Sequence, residues 1–356
     1  MFRRCRRKWD FQSRLRQNLV IVTEPQGPLW FGSGFHFALE DFHGYNRFGD
    51  PRRAFDAYVE ATSSNLPSET EELVVVAEGM LSYYVELWLP KHDRMKTLWV
   101  DGQPQVEVDV EIAITHDLPQ WLIDRIGEEL DEDFEVVVKQ TFDRVCQDQE
   151  LGYILGEDYK TAKQMADTGQ LMFNPQSNQY YWALRAFYGD RDVEGLVWTQ
   201  FLKKVPTPPE PLKTGGLSMN KGQATTYSMY RAALIDMFGK IPKGYTDILN
   251  HLASQEDESG DRFIRREVLR RNKYHGEEEY RKIIAEATEM LNPDLPIYPN
   301  PTRDCVWDCP FRDVSLAIDS GEDWTYLLES EFTQFEGYDD SWRERIEWPQ
   351  AEVANA

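Results

Sequence analysis

Cysteine is scarce: 4 in 356 residues is too few for the disulfide framework of a secreted chain, which leaves thiols or metal ligands in a reducing compartment. No uninterrupted apolar run approaches the roughly 20 residues of a membrane helix, and the arginine-rich opening Met1–Lys8 lacks the apolar segment of a secretion signal. A cytoplasmic location with no membrane partner is the expectation. Basic residues are outnumbered, 39 Lys and Arg against 62 Asp and Glu, and the formal net charge of −23 argues against a surface that attracts phosphate everywhere. There is no internal repeat or low-complexity tract. A Gly-x4-Gly-Lys-Ser/Thr loop is also missing, which excludes a nucleotide-driven motor of that kind within the sequence.

What is present suits a folded core: 41% hydrophobic, 13% aromatic and 28% charged residues. The basic residues are grouped, in Arg3, Arg4, Arg6, Arg7 and Lys8, in Lys203 and Lys204, and in Arg262, Arg265, Arg266, Arg270, Arg271 and Lys273. Each group read alone is a solvated helix face; read together they could hold a polyanion.

After Gly32 and Gly34 a helical pattern places His36, Glu40 and His43 on one face and Phe35, Leu39 and Phe42 on another. Ser68 and Glu71 have capping-box spacing before an apolar helix that Pro90 ends. The period then changes to two: strands are expected at 105–112, 134–146, 151–160 and 193–205, with helices at 119–130 and 178–188. Pro206–Pro211 and Gly215-Gly216 break regular structure. Helical patterns follow at 223–239, 243–253, 261–272 and 276–291. The expected division is a core over 1–205, a connector over 206–222, a helical region over 223–320 whose Cys305/Cys309 segment packs back, and an acidic tail over 321–356. Trp324, Trp342 and Trp348 should anchor part of that tail while its last residues fray.

Asp158-Tyr159-Lys160 puts a carboxylate and an ammonium on one face of a strand, because residues two apart point the same way. Asp143 lies in Gln140–Val145, on a strand that a turn near 147–150 folds back beside it. Two carboxylates on neighbouring strands suit a hard divalent cation such as Mg²⁺ or Mn²⁺, and hydrolysis of a phosphodiester needs that charge and an activated water. His36 is a further candidate ligand, and Glu40, one turn on, a candidate for a second ion or a bridging water.

With these residues in place the sequence resembles the PD-(D/E)XK nuclease superfamily, in particular its RecB-like exonuclease branch of bacteriophage recombination and CRISPR-adaptation nucleases. Gly32–Glu40 is similar to the first motif of that branch, Phe142–Val145 to the second, Leu155–Lys163 with its DYKT run to the third, and Gln176–Tyr180 to the Gln-x-x-x-Tyr helix that follows. The resemblance implies an α/β, restriction-endonuclease-like core: a mixed central sheet flanked by helices, with a mainly helical C-terminal region. It implies that His36, Asp143, Asp158 and the backbone carbonyl of Tyr159 ligate Mg²⁺ or Mn²⁺, that Lys160 positions the attacking water, and that Gln176 and Tyr180 support the site. The implied substrate is DNA, as linear or single-stranded ends, in recombination, repair or phage DNA processing, with any helicase or recombinase supplied as a separate chain. Arg3, Arg4, Arg6, Arg7, Lys203 and Lys204 are the candidates for holding the backbone, and Trp182 or Tyr180 for touching bases. A catalytically inactive module of the same fold, binding nucleic acid or protein, is the alternative.

Members of the branch often hold an iron-sulfur cluster between one early cysteine and three late ones. By that resemblance Cys5, Cys305 and Cys309 take three positions, and Ser315 stands at the fourth, where a hydroxyl is a poor replacement for a thiolate. Cys146, within a strand, is expected as a buried apolar thiol.

Overall fold

The computed structural model describes residues 2–21, 27–64, 66–130, 134–189, 192–303, 305–335 and 341–349. The last residues of the tail, 350–356, lie outside the described residues. The chain forms two compact units: a smaller one from Met1–Gln26, Thr115–Glu135 and Lys282–Glu344, and a larger one from Gly27–Ile114, Val136–Arg281 and Arg345–Ala356. The Pro-rich segment at 206–222 lies inside the larger unit.

The larger unit is built on a mixed six-stranded sheet. Its strands are β1 (Met95–Thr97), β2 (Val106–Ala113), β3 (Val137–Asp148), β4 (Ile154–Ala162), β5 (Val193–Leu202) and β6 (Ile264–Arg270). The long β3 carries both β1 and β2 antiparallel on one side, Thr97 opposite Cys146 and Val106 opposite Arg144. On its other side it pairs antiparallel with β4, which runs parallel to β5, and β6 closes the row antiparallel to β5. The parallel β4–β5 step is crossed by a helix, α4 (Pro175–Tyr188), as a parallel connection requires. The strands and helices expected over 105–205 therefore form, with the bounds moved by a few residues.

Helices α1 (Gly27–His43), α2 (Pro51–Ala61) and α3 (Thr70–Tyr83) cluster together. The glycines expected to precede α1 lie inside it. At Gly34 a Cβ would come within 2.4 Å of the Tyr58 ring, so this glycine lets α1 and α2 approach closely. Phe31, Phe35, Phe55, Tyr84 and Phe201 fill the layer between helices and sheet, all fully buried. The capping box expected at Ser68 and Glu71 does not form. The helix starts at Thr70, and the Ser68 hydroxyl instead donates to Glu69.

The continuous helical run Thr70–His92, 23 residues with a window of mean hydropathy 1.2, is long and apolar enough by length and composition to cross a membrane, although it is not an uninterrupted apolar run. Glu78 and Glu86 interrupt the apolar pattern in sequence without lowering the mean enough to exclude it. Its polar atoms meet β6 and the residues just before it: Tyr83 Oη donates to Asp261 Oδ2 at 2.5 Å and Trp88 Nε1 to the Ile264 carbonyl at 3.1 Å.

A second correction concerns 261–272, which the sequence reads as helix and the structure forms as β6. The arginines suggested a solvated helix face. Arg266 instead points inward and is fully buried, because Glu157 on β4 waits there for its charge. The three other helices expected in this stretch are present, as Tyr227–Phe238, Thr246–Ala253 and Lys273–Leu291.

The smaller unit pairs Leu19–Ile21 antiparallel with Phe332–Gln334 over a cluster of Phe11, Phe311, Val314 and Phe332. Trp324 packs against that cluster and Trp342 is buried, as expected of the tail, while in the larger unit Trp348 lies against Phe37 and Phe48.

Candidate metal and nuclease site

Asp143 on β3, Asp158 and Lys160 on β4, His36 on α1, and Gln176 and Tyr180 on α4 meet where the β3–β4 pairing stops, just past Arg144 and Glu157. His36 Nδ1 lies 3.6 Å from Asp143 Oδ2. The same carboxylate oxygen accepts the Tyr159 N–H at 2.7 Å, which fixes it against β4. Asp158 is fully buried. Its Oδ1 accepts Tyr180 Oη at 2.9 Å and Gln176 Nε2 at 3.2 Å, and Gln176 Nε2 also donates to Tyr180 Oη at 2.7 Å. Its Oδ2 stands 2.7 Å from the half-exposed Lys160 ammonium and has no directed hydrogen bond. A buried carboxylate oxygen left in that state is suited to a cation.

Asp143 is pushed up to about 6, first by burial and further by the Asp158 charge, with His36 pulling the other way. Two carboxylates this close in a poorly solvated place cannot both ionise cheaply unless positive charge is added. Burial, and then Asp158 and Asp143, hold the Tyr180 phenol protonated, so it can serve as a donor.

A residue that the sequence reading missed completes the group. His36, Glu107 and Asp143 bring one ligand atom each within 4.8 Å of one another, all three half-buried. The pairs Val106–Arg144 and Val108–Phe142 put Glu107 opposite Asp143 across β2 and β3. Glu107 occupies that position with a left-handed backbone, φ +45°. The alternating run 105–112 contains several acids, and only the fold of β2 against β3 singles out this one. Glu40 and Asp158 stand outside the three-residue group. An imidazole and two carboxylates, with Asp158 alongside, form a donor set that fits a hard or borderline divalent cation.

Beneath the site lies a second, fully buried polar cluster. Arg144 and Arg266 both pair with Glu157, which also accepts from Thr199 Oγ1 at 2.5 Å. Burial alone would raise the Glu157 carboxyl, but the two guanidiniums hold it below its ordinary value. His43, two turns from His36, is 2.6 Å from Arg144 and 2.8 Å from Tyr84 Oη, and is held neutral by burial and by Arg144.

The chain belongs to the PD-(D/E)XK nuclease superfamily. Its family model matches residues 1–314, across both units. No curated protein matches the sequence. Nucleases of this superfamily use divalent metals, in agreement with the donor set at His36, Glu107 and Asp143.

Other candidates from the sequence have prior partners. Arg3 pairs with Glu286, Arg6 with Glu289 and Arg7 with Asp319, while the Arg4 carbonyl accepts from Asn300. Lys203 lies over the Phe31 ring at 4.5 Å and Lys204 is exposed. Trp182 is buried and stacked on Tyr280.

Three thiols gather in the smaller unit. Cys5 Sγ accepts N–H bonds from Lys8 and Asn300, and Cys305 Sγ accepts one from Thr302 at 3.3 Å. Cys309 is raised by burial, with Cys305 and Cys5 contributing. Ser315 sits on the helix Arg312–Ser320, its carbonyl bonded to Arg7. Cys146 cannot be the fourth ligand: it is buried in the larger unit among Met95, Leu155 and Val197, and burial pushes its thiol up to about 12. Three thiols without a fourth do not fit a four-thiolate iron-sulfur cluster.

Proposed function

We propose that the protein is a metal-dependent deoxyribonuclease, an exonuclease acting on linear or single-stranded DNA ends with Mg²⁺ or Mn²⁺, in recombination, repair or phage DNA processing. The observation that carries this reading is the meeting of His36, Glu107, Asp143 and Asp158 beside the Lys160 ammonium. His36, Glu107, Asp143, Asp158 and the Tyr159 carbonyl would hold the cation, which supplies charge neutralisation on the phosphate and acidifies water.

The chain's own groups do the rest. Lys160, tethered to Asp158, is placed to stabilise charge on the phosphate and to orient the attacking water. Gln176 and Tyr180 occupy Asp158 Oδ1, so Oδ2, beside Lys160, is the oxygen that would be offered to a cation. Lys163 and Lys203 stand near the ends of β4 and β5, where they favour a phosphate backbone despite the acidic total charge. A helicase or recombinase, if engaged, is a separate chain.

The test is incubation of the purified protein with end-labelled linear and circular DNA in Mg²⁺, Mn²⁺ and EDTA. Asp158→Ala and Lys160→Ala should each abolish degradation of linear DNA without lowering the melting temperature by more than a few degrees. Cleavage retained by both variants would remove the assigned centre.

A further inference from the structure

The turn between the short helix Thr168–Met172 and α4 carries Phe173, 91% exposed, the most exposed large apolar side chain among the described residues. Single exposed apolar residues are common and need no explanation. The backbone that carries this one is anchored on both sides. Asp167 and Gln170 form a reciprocal capping box before it, and the Asn174 side chain caps α4 directly after it. From below, the buried Arg271 donates to the Met172 carbonyl at 3.1 Å and to Asn178 Oδ1 at 2.7 Å. Ser177 Oγ donates to the Leu171 carbonyl and accepts from Trp198 Nε1, both at 3.2 Å. Gln200 clamps both backbone polar groups of Ala166, at the start of the same connection.

The turn is also tied to the chemistry. Gln176, three residues after Phe173, is bonded to Asp158 Oδ1. The aromatic residues that the sequence offered for base contact are committed elsewhere, Tyr180 to Asp158 and Trp182 to Tyr280. Phe173 is an open aromatic side chain on the turn that leads into α4, three residues before the Gln176 amide that meets Asp158.

We infer that Phe173 is a base-stacking platform for an unpaired nucleotide of the strand whose phosphate lies at Asp143, Asp158 and Lys160. The backbone that presents the ring is already ordered, and an unpaired base, free to leave its stack, covers such a ring more readily than a base held in a duplex. The platform thus makes this site selective for single-stranded ends. The inference rests on the nuclease reading for the position of the phosphate, and its test separates the two.

The full-length protein is titrated in Mg²⁺ with a phosphorothioate-linked single-stranded oligonucleotide carrying 2-aminopurine near one end, and with the matching blunt duplex. Cleavage of the corresponding unmodified single strand is measured in parallel. Binding of the single strand should quench the fluorescence. Phe173→Ala should lose the quench and bind about tenfold more weakly, Phe173→Trp should restore both, and binding of the duplex should change less than twofold. In cleavage, Phe173→Ala should raise KM by a similar factor with kcat within about twofold. Quenching and affinity unchanged in Phe173→Ala, or equal losses for single strand and duplex, overturn the stacking role. Failure of the wild-type protein to cleave, with a Phe173-dependent quench intact, would overturn the nuclease reading and leave the stacking role supported.

Discussion

Glu107 and Asp143 face each other across two antiparallel strands, and Glu107 does so with a left-handed backbone at φ +45°. A residue with a Cβ pays about 1–2 kcal/mol for that conformation, so the surrounding strands must impose it. The register alone already sets the Glu107 and Asp143 side chains on the same face of the sheet, where they meet His36.

Glu107→Gln should weaken Mn²⁺ binding by about tenfold or more while leaving the circular dichroism spectrum unchanged. Glu107→Gly should weaken it similarly, yet melt no lower without metal, because glycine adopts the positive φ freely. Isothermal titration and thermal melts separate the two effects. Unaltered Mn²⁺ affinity in Glu107→Gln would remove this residue from the metal group.

Because the Asp143 carboxyl is pushed up to about 6 in the metal-free protein, protons compete with the cation below that pH. Mn²⁺ affinity should climb as pH rises through about 6. The sign for stability is opposite: between the ordinary carboxylate range and about 6 the folded protein holds the extra proton, so this group favours folding less as pH rises. Asp143→Asn should flatten that part of the metal-free stability profile measured by urea unfolding between pH 4 and 7.

Glu157 is the only carboxylate between two buried guanidiniums in its cluster, Arg144 and Arg266. Glu157→Gln should destabilise the protein by roughly 3–5 kcal/mol, since it leaves both charges buried and uncompensated. Its carboxyl is depressed in the folded state, so the stability it contributes is present above the ordinary glutamate value and is lost as pH falls through the lower folded value. Denaturant melts at neutral and acid pH measure both effects.

Tyr180→Phe and Gln176→Ala each remove one hydrogen bond to Asp158 Oδ1. Each should lower kcat by about tenfold with KM little changed, and the double variant should lose less than the product of the two, because both act on one oxygen. Single-turnover cleavage of a labelled strand is the measurement.

The site was legible in sequence where its residues lie in local patterns. Asp158 and Lys160 share a strand face by spacing alone, and the order of His36, Asp143, Asp158, Lys160, Gln176 and Tyr180 resembles the motif order of a known family. Where partners come from afar, local pattern misled. The arginines of 264–270 read as a wet helix face, and only Glu157 on a non-adjacent segment explains why Arg266 is buried in a strand. Arg3, Arg6 and Arg7 read as a basic patch until Glu286, Glu289 and Asp319 are found beside them.

By itself the sequence determined the family, the strand pattern that makes β2 to β5, and the chemical types gathered at the candidate site, because periodicity and short spacing act within a few residues of chain. The tertiary structure alone decided that Glu107 and not a neighbouring acid meets Asp143, and that Trp182 is covered while Phe173 is open. Those outcomes depend on which strands pair and which faces are buried, and distance along the chain does not encode either.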